Sequence, residues 1–529
     1  MSGTLTQLAA KGAQDRNLTV QPEITFFKGV WKHHTNFAIE AIEQDFTSGN
    51  PTTGTTATAE IPRSGDLVTD IWVKIELAAI LNVGYAPFPE NAPYMVTYVD
   101  EVGHALLKKV KVEIGGHQFD AHNSEYLHMW HELTKKAGRD TDRMIGKFSN
   151  FMDRVAASSE HQTLYVPLRF WFNETTSQAL PLVALMYHQV KISVEFRSKD
   201  EIITSTPAFR AMGHSAPVFV AATDAPLGWP EVYDVQDKKT AAVDFSTGSG
   251  GGFGKGEALA PISVTNRGTA PTSGAGYMLD TGSDSPIISC KLLINYVFLD
   301  SVERKLFATM EHNYLIDVVQ LDQPVYNADA VTNSMSLMLN HPVKELIWAM
   351  RPEGSIAASL TKPSTTTAIQ LGARGTQRWS GSLNHTIAGI ENVASSFPNV
   401  NGLVKNFFNF SGSNVYNGEY HNFDTASLKL NGHTRFEDVK APFFNTIMPA
   451  KYHSSTPKSY IYVYPFALDP EDWKPTGSIN MSRIDTVKLE LKKSDIGKIG
   501  APGGEMFVFA RSLNIMKITS GMAGLKYAN

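Results

Sequence analysis

The sequence predicts an all-β chain built from two similar antiparallel sandwiches in tandem. Three observations carry that expectation. The composition favours aromatic residues, glycine and proline over charge, short stretches alternate between apolar and polar residues, and several of these stretches recur in the same order later in the chain.

With 529 residues the chain is longer than one hydrophobic core usually serves, so two domains are expected. Aromatic residues make up 10% and charged residues 19%, with 40 Gly and 27 Pro, a balance that suits many short strands joined by turns. The formal net charge is −5 and no run of Lys or Arg exceeds two, so the basic footprint of nucleic-acid binding is missing and no direct contact with nucleic acid is expected. Cys290 is the only cysteine. Intrachain disulfides and thiolate metal clusters are therefore ruled out, a reducing cytosol is a suitable place to fold, and Cys290 reads as a small buried apolar residue. The start of the chain lacks a basic-then-apolar signal pattern, and apolar runs such as Ala179 to Tyr187 are too short to span a bilayer. A soluble protein without a recognisable export signal is expected.

The alternation defines the strands. In Val110 to Ile114, Val110, Val112 and Ile114 share one face and Lys111 and Glu113 the other, before a break at Gly115-Gly116. Ser427 to Leu430 repeats this, with Leu428 and Leu430 inward, Lys429 outward and a break at Asn431-Gly432. Leu164 to Phe170 answers to Tyr460 to Phe466, and Val190 to Phe196 to Val487 to Lys493. Asp70 to Leu77 answers to Glu345 to Met350, and Cys290 to Phe298 loosely to Glu505 to Leu513. Recurrence in one order over such long separations indicates two copies of one domain rather than a solenoid, whose repeats run about 20–50 residues.

The unequal separations locate insertions. The first copy carries extra residues between Phe196 and Cys290; the stretch from Ser246 to Pro286 within it holds ten glycines, and its only aromatic residues are Phe253 and Tyr277. The second copy carries extra residues around Gly354 to Ser413, rich in Ser, Thr, Asn and Gly. The expected organisation is an N-terminal arm at 1–24, a first domain at 25–312 with a long Gly-rich insertion at about 200–286, and a second at 313–529 with an insertion at about 354–413. Both insertions read as tolerant surface loops, and replacement of Ser246 to Pro286 by a short linker should be tolerated.

Helix signals are few. Ser124 can cap a segment that places Tyr126, Trp130, Leu133 and Ala137 on one face, and a second runs from Asp300 to about Ile316, with Val302, Leu306, Met310 and Tyr314 at i+4 spacing. The second sits at the junction of the copies and reads as their connector. Tandem antiparallel domains with short strands suggest sandwiches, among which the jelly roll best protects its edges.

Catalytic, cofactor and metal sites are not expected. His122, Glu125, His128, His131 and Glu132 are the densest group of potential metal ligands, but neither H-E-x-x-H nor H-x-x-E-H is present, and they read as solvated or hydrogen-bonded helix residues. The Gly248 to Gly256 run has Ser249 where a phosphate-binding loop needs Gly, and Gly256 follows Lys255 where Ser or Thr must hold magnesium. No G-x-S-x-G elbow is present. A sandwich enzyme or lectin of cupin type would need clustered ligands on inward strand positions, which here are Val, Ile, Leu and Phe.

Several blocks resemble a known family. Gly12 to Gln44 is similar to the start of the major capsid proteins of nucleocytoplasmic large DNA viruses, the phycodnavirus and iridovirus group among them. Ile61 to Val73, Val112 to Leu133, Leu180 to Phe196, Tyr296 to Ile316, Asn340 to Met350 and Tyr462 to Asp485 agree as well, and so does the close at Ile518 to Asn529. The departures fall in the two insertions. The resemblance implies two tandem eight-stranded antiparallel jelly rolls with short connecting helices, and a structural, non-enzymatic role without cofactors. It implies homotrimers tiling an icosahedral shell, outer loops facing the host, minor capsid and penton proteins as partners, and an internal membrane reached only indirectly through the N-terminal side. The expected location is the virion capsid, with folding and assembly in host cytoplasm. A scaffold of the same fold, discarded on maturation, is the alternative.

Asn17, Asn173, Asn384, Asn409 and Asn480 satisfy N-x-S/T, about as many as an Asn-, Ser- and Thr-rich chain shows by accident. Most are expected to be unmodified. Asn384, Asn409 and Asn173 are the candidate acceptors, with Asn384 and Asn409 the more accessible, and a cytosolic protein would need viral enzymes for the transfer.

Overall fold

The computed structural model describes residues 2–12, 21, 33–81, 94–136, 138–148, 151–207, 278–280, 285–327, 330–352, 407–408, 410, 412–414, 418–493 and 504–527. Eight principal strands form the first sandwich: β1 (Phe37–Asp45), β2 (Thr56–Glu60), β3 (Leu67–Leu77), β4 (Leu107–Ile114), β5 (His117–Asn123), β6 (Gln162–Pro167), β7 (Val190–Phe196) and β8 (Ile287–Leu299). Eight more form the second: β9 (His312–Asp322), β10 (Thr332–Leu337), β11 (Pro342–Pro352), β12 (Thr425–Leu430), β13 (His433–Lys440), β14 (Tyr462–Pro465), β15 (Val487–Lys492) and β16 (Gly504–Thr519).

The pairing orders are β1-β8-β3-β6 and β2-β7-β4-β5 in the first unit, and β9-β16-β11-β14 and β10-β15-β12-β13 in the second. Each strand of the first unit thus has its counterpart eight strands later, and all the principal pairs are antiparallel. Two four-stranded layers wound in this order make a jelly roll, so the chain is a double jelly roll. The five strand pairs that recur in the sequence fall on equivalent positions: β4 and β12, β6 and β14, β7 and β15, β3 and β11, β8 and β16.

Local chemistry explains the elements. On β4, Val110, Val112 and Ile114 are fully buried while Lys111 and Glu113 sit at the rim. The following turn places Gly115 and Gly116 at φ +60° and +82°, and its counterpart places Asn431 and Gly432 at +48° and +80°. Two successive left-handed residues match the twist of a two-residue hairpin. Gly115 is further restricted, because a Cβ there would meet the His188 ring at 2.4 Å. Cys290 is buried and free, and burial pushes its thiol up to about 12.

The structure corrects four expectations. The connector helix spans only Ser301–Thr309, capped by the Asp300 carboxylate, which accepts from Ser301 N at 2.8 Å. From His312 the chain is strand, paired with β16 from His312↔Ile518 to Asp322↔Val508. This long ladder outweighs continuation of a helix that buries none of its own side chains. The helix α1 (Ser124–Thr134) has Asn123, not Ser124, at its N-cap, and Ser124–Leu133 are buried on every side rather than along one face. Ala137 lies outside the described residues.

The insertions are also anchored. Lys199–Ile202 form a helical turn, Ile203–Pro207 pair with Tyr94–Tyr98, and Met278–Leu279 pair with Ile80–Leu81, so both ends of the 200–286 segment are ordered. In the 354–413 segment, Phe407, Phe408 and Phe410 are buried in the core that belongs mainly to the first roll. That end is a structural clamp, since it brings three aromatic side chains out of water. The Gly248 to Gly256 run, Asn17, Asn384, Asn409 and half of the 1–24 arm lie outside the described residues. Within the arm, Ser2–Ala9 is an exposed helix.

Candidate functional site

The feature most able to serve a function is the buried joint between the rolls. It begins with strands that are apolar on both faces. On β11, Leu346, Trp348 and Met350 point into the second roll's core while Ile347 and Ala349 join the core of the first. On β16, Val508 and Ala510 face inward, and Phe507 and Phe509 face the first roll. Strands sandwiched in this way read as continuous apolar runs.

Helix α1 of the first roll lies against that outer face. Tyr126 meets Phe509 with ring centroids 5.5 Å apart, and Trp130 lies 3.9 Å below the Arg511 guanidinium. Arg511 donates to Glu345 Oε1 (3.0 Å), Asp317 Oδ2 (2.7 Å) and the Pro470 carbonyl (2.8 Å). Lys344 donates to the same Asp317 oxygen at 2.9 Å. His453 Nε2 stands 2.9 Å from Glu345 Oε2 as an ion pair off hydrogen-bond alignment, and its Nδ1 is 3.1 Å from Glu471. Burial opposes the charge on His453, but the two carboxylates outweigh it and raise its pKa to about 9. Burial likewise opposes ionisation of Glu345, yet His453 and Arg511 hold it down at about 2.

The other face of α1 carries the group that was considered for metal binding. Glu125 Oε1 accepts from Arg197 of the first roll (3.0 Å) and Arg351 of the second (2.7 Å), which makes it the pivot of a charge bridge across the joint. Arg197 covers the Phe407 ring at 4.4 Å and Arg351 the Phe507 ring at 4.8 Å. His128 Nδ1 lies 2.6 Å from Glu101, its Nε2 lies 3.2 Å from Ser459 Oγ, and its ring stacks on Phe408 at 4.3 Å. Glu132 accepts from Lys147 Nζ (2.5 Å) and from Lys458 N (2.9 Å). Lys147 also pairs with Glu101. Burial disfavours the Glu101 charge, but His128 and Lys147 hold its carboxyl well below the usual range. Burial pushes His104 down to about 4. His131 Nε2 meets Asp142 at 3.0 Å, and His122 Nε2 meets Asp120 at 2.9 Å. Asp120 in turn accepts from Val319 N of the second roll at 3.1 Å.

The five α1-region residues are therefore hydrogen-bonded, as one arm of the expectation held, and none is solvated. Their partners are carboxylates, guanidinium and ammonium groups, a hydroxyl and a backbone N–H, and among the described residues no group of three or more His, Cys, Asp or Glu could hold a metal. Chemically the site can lock two domains in one orientation: ion pairs out of water tolerate little change in geometry. Sequence reasoning missed Arg351, Arg511, Lys344 and Glu345. The available signal was a charge inside a strand apolar on both faces, as in HPVKELIWAM and FVFARSL. Asn173 is half-buried, and its Nδ2 donates to the carbonyls of Leu168 (3.1 Å) and Ile71 (3.4 Å).

Two family models match this chain, one described as major capsid protein N-terminus over residues 25–226 and one as large eukaryotic DNA virus major capsid protein over residues 303–524. The chain is 30% identical to the major capsid protein of Phaeocystis pouchetii virus and 29% identical to that of Pyramimonas orientalis virus, with all of each chain covered. It is 27% identical to the major capsid protein of Paramecium bursaria Chlorella virus 1, again over both full lengths. These relatives are structural capsid proteins, not enzymes. Among solved structures, PBCV-1 VP54 superposes with a TM-score of 0.61 at 24% identity, covering 96% of this chain and all of that one. The Faustovirus major capsid protein superposes with a TM-score of 0.59 at 16% identity, covering 98% and 96%.

Proposed function

The chain belongs to the major capsid proteins of large eukaryotic DNA viruses, and from that membership we propose that it acts as a homotrimeric, pseudo-hexagonal capsomer tiling an icosahedral shell. Its role is structural and its place is the virion capsid. The observation that carries the finer reading is the pair of equivalent jelly rolls fixed by one buried joint. One chain supplies two similar sandwiches, so three supply six around an axis, matching six neighbours in a closed shell. Light scattering of the purified protein should give three times 58.1 kDa, with an interface larger than roughly 2,000 Å². A stable monomer at micromolar concentration would overturn the trimer.

The rest of the reading is arranged around this capsomer. The chain divides into an arm at 1–24, a first roll at 25–312 and a second at 313–529. The arm lies on the inner side, towards minor capsid and penton proteins and indirectly the internal membrane, and gains order against neighbours there. The outer loops, including the insertions at about 200–286 and 354–413, face the host. Folding and assembly take place in host cytoplasm. Asn384 and Asn409 are the first candidates for glycan attachment, ahead of Asn173, whose amide would have to leave two backbone carbonyls.

The anchoring of both insertion ends refines which part is dispensable. Met278–Leu279 pair with Ile80–Leu81, so a tolerated replacement must stop short of Met278. Exchange of Ser246 to Gly276 for a short Gly-Ser linker should leave oligomers melting within a few degrees of the original, because halving a loop changes closure entropy by only about 0.6 kcal/mol. Unfolded or dissociated product on size-exclusion chromatography would show that the segment packs into the capsomer.

A further inference from the structure

A buried cluster of three histidines sits where the segment before β4 meets α1. Its members come from Glu101 and the short helix Val102–Leu106, from α1, and from the helical turn Asp142–Ile145 with Lys147 just beyond it. His104, His128 and His131 are each 3% exposed or less. One Glu101 oxygen faces both His104 Nδ1 (3.4 Å) and His128 Nδ1 (2.6 Å), and the other pairs with Lys147. The His104 ring meets the His131 ring edge-on at 5.6 Å, and Asp142 takes both His131 and Lys135 Nζ (2.6 Å). Glu132 shares Lys147, and Asp100 adds a further carboxylate near Lys147 and Arg154. Glu101 itself is 1% exposed and holds φ +50°, a left-handed conformation that a residue with a side chain keeps only when its surroundings impose it.

The same cluster holds the second roll. Leu133 O accepts from Ser455 N (2.9 Å), Glu132 accepts from Lys458 N (2.9 Å), and His128 Nε2 meets Ser459 Oγ (3.2 Å). Of the three histidines, His104 gains least from a proton, because its carboxylate is already shared with His128 and Lys147 and its ring edge faces His131. Burial holds its pKa down at about 4. Water reaches a charged His104 only when Val102–Leu106 parts from α1. We propose that this cluster is an acid-released latch on the joint: a proton on His104 parts Val102–Leu106 from α1 and frees the 453–459 segment of the second roll, while both sandwiches stay folded. With the folded pKa below the ordinary 6.5, the latch is shut above pH 6.5 and loosens as pH falls towards 4. Neither β4 nor β7 carries a histidine, and both lie in the apolar core of the first roll, so they keep their order in the same range. The latch lies within one chain and acts in a monomer as in a trimer.

The test is hydrogen exchange on the full-length protein, read by mass spectrometry between about pH 7.5 and pH 4 and corrected for the intrinsic pH dependence of exchange. The backbone amides of Ser455 and Lys458, which donate across the joint, and those of Val102–Leu106 should lose about tenfold or more of their protection by pH 4.5, while β4 and β7 keep theirs. His104→Gln still offers a donor to Glu101 but takes up no proton, so its amides at 455 and 458 should stay protected throughout. Equal protection of these amides at both ends of the range in the original protein, or the same acid loss in His104→Gln, would overturn the latch. Should that variant fail to fold, the original decides alone. A loss spread evenly over all amides would show global unfolding instead, and a loss that begins only below pH 4 would assign it to the carboxylates; either result refutes the proposal.

Discussion

Replacing Arg511 by alanine should destabilise the isolated protein by about 3–5 kcal/mol, the usual cost of leaving a buried charge without its partner. Arg511 is 3% exposed, and its loss strands Glu345, which is fully buried, and weakens the hold on Asp317. Trp130 loses its cation as well, so the damage spreads from the second roll into α1 of the first. The urea midpoint should fall, and backbone hydrogens of α1 should exchange faster while those of β4 and β7, deep in the first roll, change little. Arg511→Lys keeps the charge but not the fork that reaches Glu345, Asp317 and the Pro470 carbonyl together, so it should restore only part of the loss. An Arg511→Ala protein with an unchanged urea midpoint would show that the pairs are incidental to the joint.

The second expected effect is a stability maximum near pH 6.5, with losses on both sides. His453 has its folded pKa raised from 6.5 to about 9. Its contribution is therefore complete below pH 6.5 and is lost as pH rises through about 9, a change on the order of 3 kcal/mol. Glu345 takes part in the same contact, so its share is not additional. With its folded pKa lowered from 4.5 to about 2, that contact is also lost as pH falls from 4.5 towards 2. His104 acts in the opposite sense to His453. Its folded pKa is lowered from 6.5 to about 4, so its contribution is complete above pH 6.5 and is lost as pH falls through about 4. Urea midpoints measured from pH 4 to 10 should trace this dome, and His453→Gln should flatten the alkaline limb selectively. An alkaline limb of unchanged slope in that variant would place its origin elsewhere.

Local order was legible in the sequence wherever it depends on neighbours along the chain. Alternation along Val110 to Ile114 fixes which side chains face a core, and Gly115-Gly116 and Asn431-Gly432 supply the two left-handed residues that a tight hairpin needs. Recurrence of five such strands showed two copies of one domain, and the resemblance made each copy a jelly roll. Helix extent was less legible. Apolar spacing past Thr309 matches a helix, but the ladder between β9 and β16 captures those residues, and that partner lies about two hundred residues away. The burial of the α1 residues was hidden for a related reason. His128 and Glu132 look like the polar side of a surface helix until the second roll closes over them.

The sequence by itself determined the strand faces, the turns and the repetition, because each is set by the period of the backbone and by residues a few positions apart. Tertiary structure alone decided the joint. Glu125 and Arg351 are 226 positions apart, and Glu132 and Lys458 are 326 apart. Nothing local distinguishes those charges from others on the surface. They become a lock only when two cores, each satisfied on its own inner faces, bury the outer face of β11 and β16 between them and leave every charge there to find an opposite one.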